Sequence, residues 1–253
     1  MGLIVDAPAP RQTTAKTGPD RPRSAVTSAR PLSHNLNGQR LGRKGRDTRE
    51  RILAATRELL AGPDDAPMSL SAVARKASLG MTSLYVYFND LTELLLAVLE
   101  PVMATAEESY VSLLRSYWPD DELGARALEF VEGYYGFWVR HSRLLHLRNN
   151  MADLQDERMM LHRVYSAQPV MRFMVEQMNG GLDSPGSPVF SMATALMTGL
   201  ERVVTVTTDD KLQSLLHARF SSNHTHLLHA QARMLELGVR DFRVQREREW
   251  AGA

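Results

Sequence analysis

The side chains best suited to touching another molecule lie between positions 81 and 87, in the stretch MTSLYVY. The hydroxyls of Thr82 and Ser83 can hydrogen-bond base edges or phosphate oxygens. The phenols of Tyr85 and Tyr87 can donate to phosphate, and Met81 and Val86 offer surface that packs on a thymine methyl. No Arg, Lys, Asn or Gln precedes Asn89 in this stretch, so it lacks the bidentate pairings that discriminate guanine and adenine most strongly. Cations stand upstream instead, at Arg40, Arg43, Lys44, Arg46 and Arg49. A flexible basic arm of this kind can follow phosphates or enter a minor groove.

These groups need helices to present them, and the apolar spacing supplies two. Leu70, Val73, Ala74 and Ala77 fall at i, i+3, i+4 and i+7, with Ser69 placed as N-cap. Ser78, Leu79 and Gly80 interrupt that stripe, and Gly80 is the residue expected to take a left-handed turn conformation. A second helix over about 81 to 88 turns Leu84 and Phe88 inward and Thr82, Ser83, Val86 and Tyr87 outward. Tyr85 sits at the edge, either reading or packed within the bundle. The run Asp90-Leu91-Thr92-Glu93 is a capping-box pattern opening a long apolar helix. Upstream, a helix over 48 to 60 places Ile52, Ala55, Thr56, Leu59 and Leu60 on one side and stops at Gly62-Pro63 and Asp64-Asp65. The outline is a three-helix unit containing a DNA-reading helix-turn-helix.

The blocks RERILAATRELL and LSAVARKASLGMTSLYVYFNDLTELL, over about residues 47 to 96, resemble the N-terminal domain of the TetR/AcrR family of bacterial transcriptional regulators. The strongest element is Leu84-Tyr85-x-Tyr87-Phe88 followed by Leu94, at the family's spacing from Val73-Ala74. The resemblance implies an all-α chain: a three-helix, homeodomain-like helix-turn-helix head followed by a larger helical ligand-binding and dimerisation domain. It places the helix at 81 to 88 in the major groove and Ser69 near a phosphate. Ser78 stands where the family usually has Gly, Gly80 where it usually has a capping Ser or Thr, and Leu91 where it usually has a phosphate-binding Lys. The implied mechanism is a two-state homodimer on a pseudo-palindromic double-stranded operator, in which a ligand tilts the fourth helix and changes the separation of the heads. Repression is the expected sense. The penultimate and last helices are expected to form the dimer interface, through Ala193, Leu196, Leu200 and Val203 in the first and Leu228, Met234 and Leu235 in the second.

Composition is consistent with this layout. At 253 residues the chain can bury a substantial core. It has no cysteine, which excludes disulfides and thiolate metal sites. No run of apolar residues has membrane-spanning length, and the opening MGLIVDAPAP lacks the basic flank of a signal peptide, so a cytoplasmic protein with no membrane partner is expected. The net charge of +1 hides an asymmetry: residues 1 to 46 hold nine Lys/Arg against two Asp, a balance of +7 that leaves −6 for the rest. The expected organisation is a disordered basic tail over 1–39, either a DNA-following arm or a solvated leader, and a DNA-binding domain with its basic arm over 40–93. A regulatory and dimerisation domain over 94–243 and a flexible C-terminus over 244–253 complete it.

Beyond Leu91 the pattern predicts helices over about 91 to 116, 121 to 141, 143 to 151, 154 to 179, 188 to 207 and 210 to 238. Pro101 and Pro169 should kink or break theirs, and a loop follows Asn179-Gly180-Gly181. Methionines and aromatics gather in this body. Tyr134, Trp138, His141, Met174 and Met197 are the candidate lining of a pocket for a small apolar or aromatic effector, with Arg140, Arg148, Asn149, Asn150 and His162 as candidate polar contacts. No P-loop, GxSxG, HExxH or dinucleotide-binding motif is present, so no catalytic residue, cofactor or metal is assigned. His224, His226 and His229 do not make a metal site, because residues i and i+2 of a helix point apart. The alternatives are a ligand-sequestering helical protein with a degenerate DNA-binding head, or an enzyme of unknown type.

Overall fold

The computed structural model of the chain describes residues 41–62, 67–178, 186–217 and 224–251. The basic tail, Arg40, the Pro63-Asp64-Asp65 turn and the loop at 179–185 lie outside the described residues. All described secondary structure is helical: α1 Arg43–Ala61, α2 Leu70–Lys76, α3 Met81–Tyr85, α4 Leu91–Ala104, a π-helical turn Glu107–Val111, α5 Ser112–Arg115, α6 Leu123–Asp153, α7 Glu157–Gln177, α8 Pro188–Thr207, α9 Asp210–His217 and α10 His224–Ala251. The fold is all-α, as expected.

The head is built as its periodicity requires. Ile52, Ala55 and Thr56 of α1, Val73 and Ala74 of α2 and Leu84 of α3 are buried together with Phe88. Burying a Leu or Phe side chain contributes about 1.5–3 kcal/mol, so these few residues account for most of what holds three short helices together. The Ser69 hydroxyl accepts from the Ala72 amide at 3.2 Å, and Asp90 accepts from the Glu93 amide at 2.8 Å. Glu93 reaches back to the Asn89 amide at 2.9 Å, one residue before the position a capping box usually satisfies.

Four expectations about these elements are corrected. First, α1 begins at Arg43 rather than near Thr48, so Arg43, Lys44, Arg46 and Arg49 stand on a helix and not on a flexible arm. Second, the left-handed residue of the turn is Ser78 (φ 53°), whereas Gly80 is extended (φ −73°, ψ 152°). The Leu79 amide bonds to the Ala74 carbonyl at 2.8 Å and the Ser78 amide to that of Arg75 at 3.1 Å, and this paired closure of α2 requires positive φ at Ser78 whatever residue stands there. Third, α3 ends at Tyr85; the amides of Tyr87 and Phe88 both reach back to the Leu84 carbonyl, tightening the chain so that Phe88 still enters the core. Fourth, α10 runs on to Ala251 where a flexible terminus was expected over 244–253, and Arg243, buried within it, anchors that part of the helix.

In the body, the helices expected over 121–141 and 143–151 are one helix, α6, with non-helical backbone at His141 (φ −125°, ψ 18°). Pro169 does not break α7, since Pro169 and the preceding turn at Tyr165 are exposed and the carbonyl left without an amide partner can meet water. The π-helical turn packs against Gly133 of α6, where an added Cβ would lie 2.8 Å from the Ser109 carbonyl oxygen. α10 packs on α6 and α8, with Gly238 allowing a close approach to Leu196. One continuous core runs from Ile52 of α1 to Val239 of α10.

Candidate nucleic-acid interface and internal cavity

On the head, Thr82, Ser83, Tyr85 and Val86 are exposed, Tyr85 by 49%, while Leu84 and Phe88 of the same stretch are buried. Tyr85 therefore stands at the surface, whereas Met81 and Tyr87 are half-buried against the core. Arg43, Lys44 and Arg46 are exposed in the first turns of α1, whose N-cap Gly42 has no side chain to offer and whose first turn holds no acidic residue. Cations there oppose the helix dipole, so the arrangement costs stability in the isolated protein and suits an incoming anion. Arg49 differs from them: its guanidinium lies 5.1 Å from the Phe88 ring centre, and burial lowers its pKa.

Ser69 lines a shallow depression with Ser71, Arg75 and Lys76, and its hydroxyl lies 3.0 Å from that of Ser71. Lys76 is paired with Glu58 at 2.8 Å, and Arg75 is exposed. Ser71 and Arg75 were missed in the sequence. Their i, i+4 spacing on the polar side of α2 was the available signal.

Two polar links join head to body. Arg143 of α6 donates to the Leu59 carbonyl at 2.6 Å and the Gly62 carbonyl at 2.9 Å, capping the end of α1. Asp156, N-cap of α7, accepts from the Arg158 and Met159 amides at 3.1 Å and from the Thr92 hydroxyl of α4 at 2.6 Å. Arg158 returns to Asp90, N-cap of α4, at 2.9 Å, so the first turns of α4 and α7 hold one another.

The body holds a partly open cavity of about 190 Å³. Of the residues proposed from the sequence, Tyr134, Trp138 and Met197 line it, whereas His141 and Met174 do not. His141 lies at the kink, 5.0 Å from the Phe137 ring, where burial and then Arg140 lower its pKa; Met174 is fully buried core. The wall also includes Tyr110, whose ring meets that of Tyr134 edge-on at 4.9 Å. Burial, reinforced by Glu201, pushes the Tyr134 phenol up to about 12. Among the polar candidates only Arg148 reaches the wall, joined there by Arg163 and Glu201.

The residues expected at a dimer interface divide sharply. Ala193, Leu196, Leu200, Leu228 and Leu235 are buried inside this single chain, where α8 meets α10, and cannot also face a partner. Val203 is half-buried and Met234 is exposed by 53%. The outward side of α10 instead carries Leu227, Ala230, Met234, Leu237 and Val244, all exposed and spaced by three, four, three and seven residues. α8 is largely apolar despite Glu201 and Arg202, with a mean hydropathy of 1.3 over its apolar window, yet only 28% of that window is buried.

No protein-family model matches the chain, and no curated protein matches it. Among solved structures it is similar to a TetR-family transcriptional regulator from Streptomyces coelicolor, at 15% identity over 77% of this chain and 80% of that one, with a TM-score of 0.49. It is similar to a TetR-family transcription regulator from Marinobacter aquaeolei at 18% identity, over 78% of this chain and 98% of that one, with a TM-score of 0.47. A transcriptional regulator from Aquifex aeolicus is similar at 14% identity over 75% and 98%, with a TM-score of 0.44.

Proposed function

We propose that the protein is a DNA-binding transcriptional regulator of the TetR type rather than an enzyme. In this reading it acts in the cytoplasm as a homodimer on a pseudo-palindromic operator and is released when a small molecule fills the body cavity. The observation that carries this reading is the head itself. A helix-turn-helix with a buried Leu84-Phe88 side presents the exposed Thr82, Ser83, Tyr85 and Val86, beside an α1 N-terminus loaded with Arg43, Lys44 and Arg46. With no Arg or Gln on the reading helix, specificity rests on apolar contacts, DNA shape and half-site spacing, while cations hold the phosphates.

The exposed side of α10 and the outward side of α8 are the proposed homodimer surface, with Leu227, Met234 and Leu237 as its apolar anchors. Release by the effector runs through the two head-to-body links. α6 carries cavity residues on both sides of the His141 kink, so a change in its bend moves Arg143 and with it α1. α7 carries Arg163 and Val170 of the wall and holds α4 through Asp156.

Selection of bound sequences from random DNA, followed by mobility shifts with the full chain, tests the reading. An inverted-repeat site is expected, and Tyr85→Ala with Thr82→Val should weaken binding to it while leaving helical content unchanged. Replacing Arg43 and Lys44 together should lower the slope of log affinity against log salt by about two units if each contacts one phosphate. Selection that returns no sequence preference would instead support a ligand-sequestering protein with a degenerate head.

A further inference from the structure

The charged wall of the cavity has a composition that an apolar ligand does not explain. Arg148 is 5% exposed and Arg163 stands beside it, and Glu201 is the only carboxylate among the cavity-lining residues. Glu201 is also heavily shared. It accepts from the Asn149 side-chain amide at 3.1 Å, takes Arg163 through both its Nε at 3.3 Å and a terminal nitrogen at 3.5 Å, and comes no closer than 3.8 Å to Arg148. Arg148 spends its Nε on the Asn149 side-chain oxygen at 3.0 Å and reaches the Ser166 hydroxyl only at 3.4 Å. A guanidinium has five N–H donors, and an under-bonded buried cation is costly. Asp153, 71% exposed, draws on Arg163 at 3.3 Å but does not line the cavity.

The remaining walls are ring faces and pliable apolar side chains: Tyr110, Tyr134, Phe137 and Trp138, with Met171 and Met197. The Arg148 guanidinium lies 6.0 Å from the Trp138 ring, so charge and aromatic surface are adjacent. The volume is small for a ligand site and suits one or two fused rings.

Resting on the regulatory reading, we infer that the effector is a small aromatic carboxylate, its carboxyl group held by Arg148 and Arg163 and its ring against Tyr134 and Trp138. A planar guanidinium fork matches a carboxylate in two parallel charge-assisted bonds, which Glu201 at 3.8 Å does not make with Arg148. An incoming carboxylate would give the two arginines the second anion that the wall lacks. Burial already disfavours the charged form of Arg148, so an added anion has more effect there than at the surface.

The test is direct binding to the full chain without DNA, by calorimetry, of naphthoate, benzoate and phenylacetate. Naphthamide and naphthylmethylammonium serve as shape-matched neutral and cationic controls. At least one carboxylate is expected to bind about tenfold or more tighter than its amide. Arg163→Gln, at a half-exposed site that leaves the core intact, should remove most of that preference, and Glu201→Gln should strengthen carboxylate binding. Arg148→Met, checked for helical content, should abolish the preference. No binding by any carboxylate, equal or tighter binding of the amide or the ammonium, or a preference that survives Arg163→Gln would overturn the inference. Because DNA is absent, a carboxylate that binds but fails to release DNA in a mobility shift would count against effector-driven release alone.

Discussion

The hydroxyl of Thr92, in the first turn of α4, donates to the carboxylate of Asp156, which caps α7, at 2.6 Å. One carboxylate thus ends a helix of the body and holds the helix that leaves the head. Burial pushes the Asp156 carboxyl up, but Thr92, the Met159 amide and Arg158 outweigh it and hold it below the usual range. Thr92→Val should therefore cost about 1.5–3 kcal/mol in urea unfolding, the worth of a hydrogen bond to a charged group. The loss should be present at neutral pH and shrink as acid protonates Asp156. A Thr92→Val/Asp156→Ala cycle with strictly additive effects would show that the two helices are not coupled here.

Ser78 pays a conformational penalty that its neighbour Gly80 does not relieve. An L-residue at φ 53° is disfavoured by about 1–2 kcal/mol, part of which glycine gives back through the greater freedom of its unfolded chain. Ser78→Gly should therefore raise stability by about 0.5–1 kcal/mol, and Ser78→Val should lower it. Urea midpoints at constant slope are the measurement, and a loss of stability in Ser78→Gly would contradict the turn geometry.

Arg243 should be among the most sensitive positions outside the head. It donates to the Gln177 and Trp118 carbonyls at 2.8 Å and to Asp120, and it stacks at 4.1 Å on Tyr117. Gln177 in turn donates to the Leu114 and Ser116 carbonyls and accepts from the Trp118 amide. Arg243→Met leaves buried acceptors without donors and should cost about 3–5 kcal/mol in thermal or urea unfolding. Arg243→Lys should recover little of this, since an ammonium cannot span acceptors arranged around a planar fork.

His162 makes stability sensitive to mild acid. Its Nδ1 is buried without a hydrogen-bond partner, and burial, aided by Arg148, lowers its pKa to about 4. The unfolded chain takes up a proton near pH 6.5 while the folded chain resists until about 4, so stability falls as pH drops through that window. His162→Phe should flatten the decline, and parallel pH profiles for the two proteins would contradict it.

Much of the head was legible in the sequence because its information is local. Leu70, Val73, Ala74 and Ala77 mark one face of one helix, and Leu84 with Phe88 marks the next. Ser69 and Asp90 are caps whose partners lie three residues away. The break near His141 was likewise visible as a change of pattern, although the backbone bends there without ending the helix. In the turn, the closing bonds of α2 and not the position of the glycine determine which residue goes left-handed, so Ser78 does and Gly80, two residues on, does not.

The cavity and the proposed dimer surface depend on contacts between distant segments. Periodicity says that Met174, Met197, Leu196 and Met234 each lie on an apolar or mixed helix, but not which neighbouring helix covers them. Packing puts Met174 and Leu196 in the core, Met197 on the cavity wall and Met234 in solvent. The Arg148, Arg163 and Glu201 group comes from three helices, and Arg243 meets Gln177 across 66 residues of chain. A side chain's spacing reveals the face it occupies, whereas its partner is chosen by how whole helices stack. For that reason the helix-turn-helix head is written in the order of its residues, and the charge of the cavity only in their assembly.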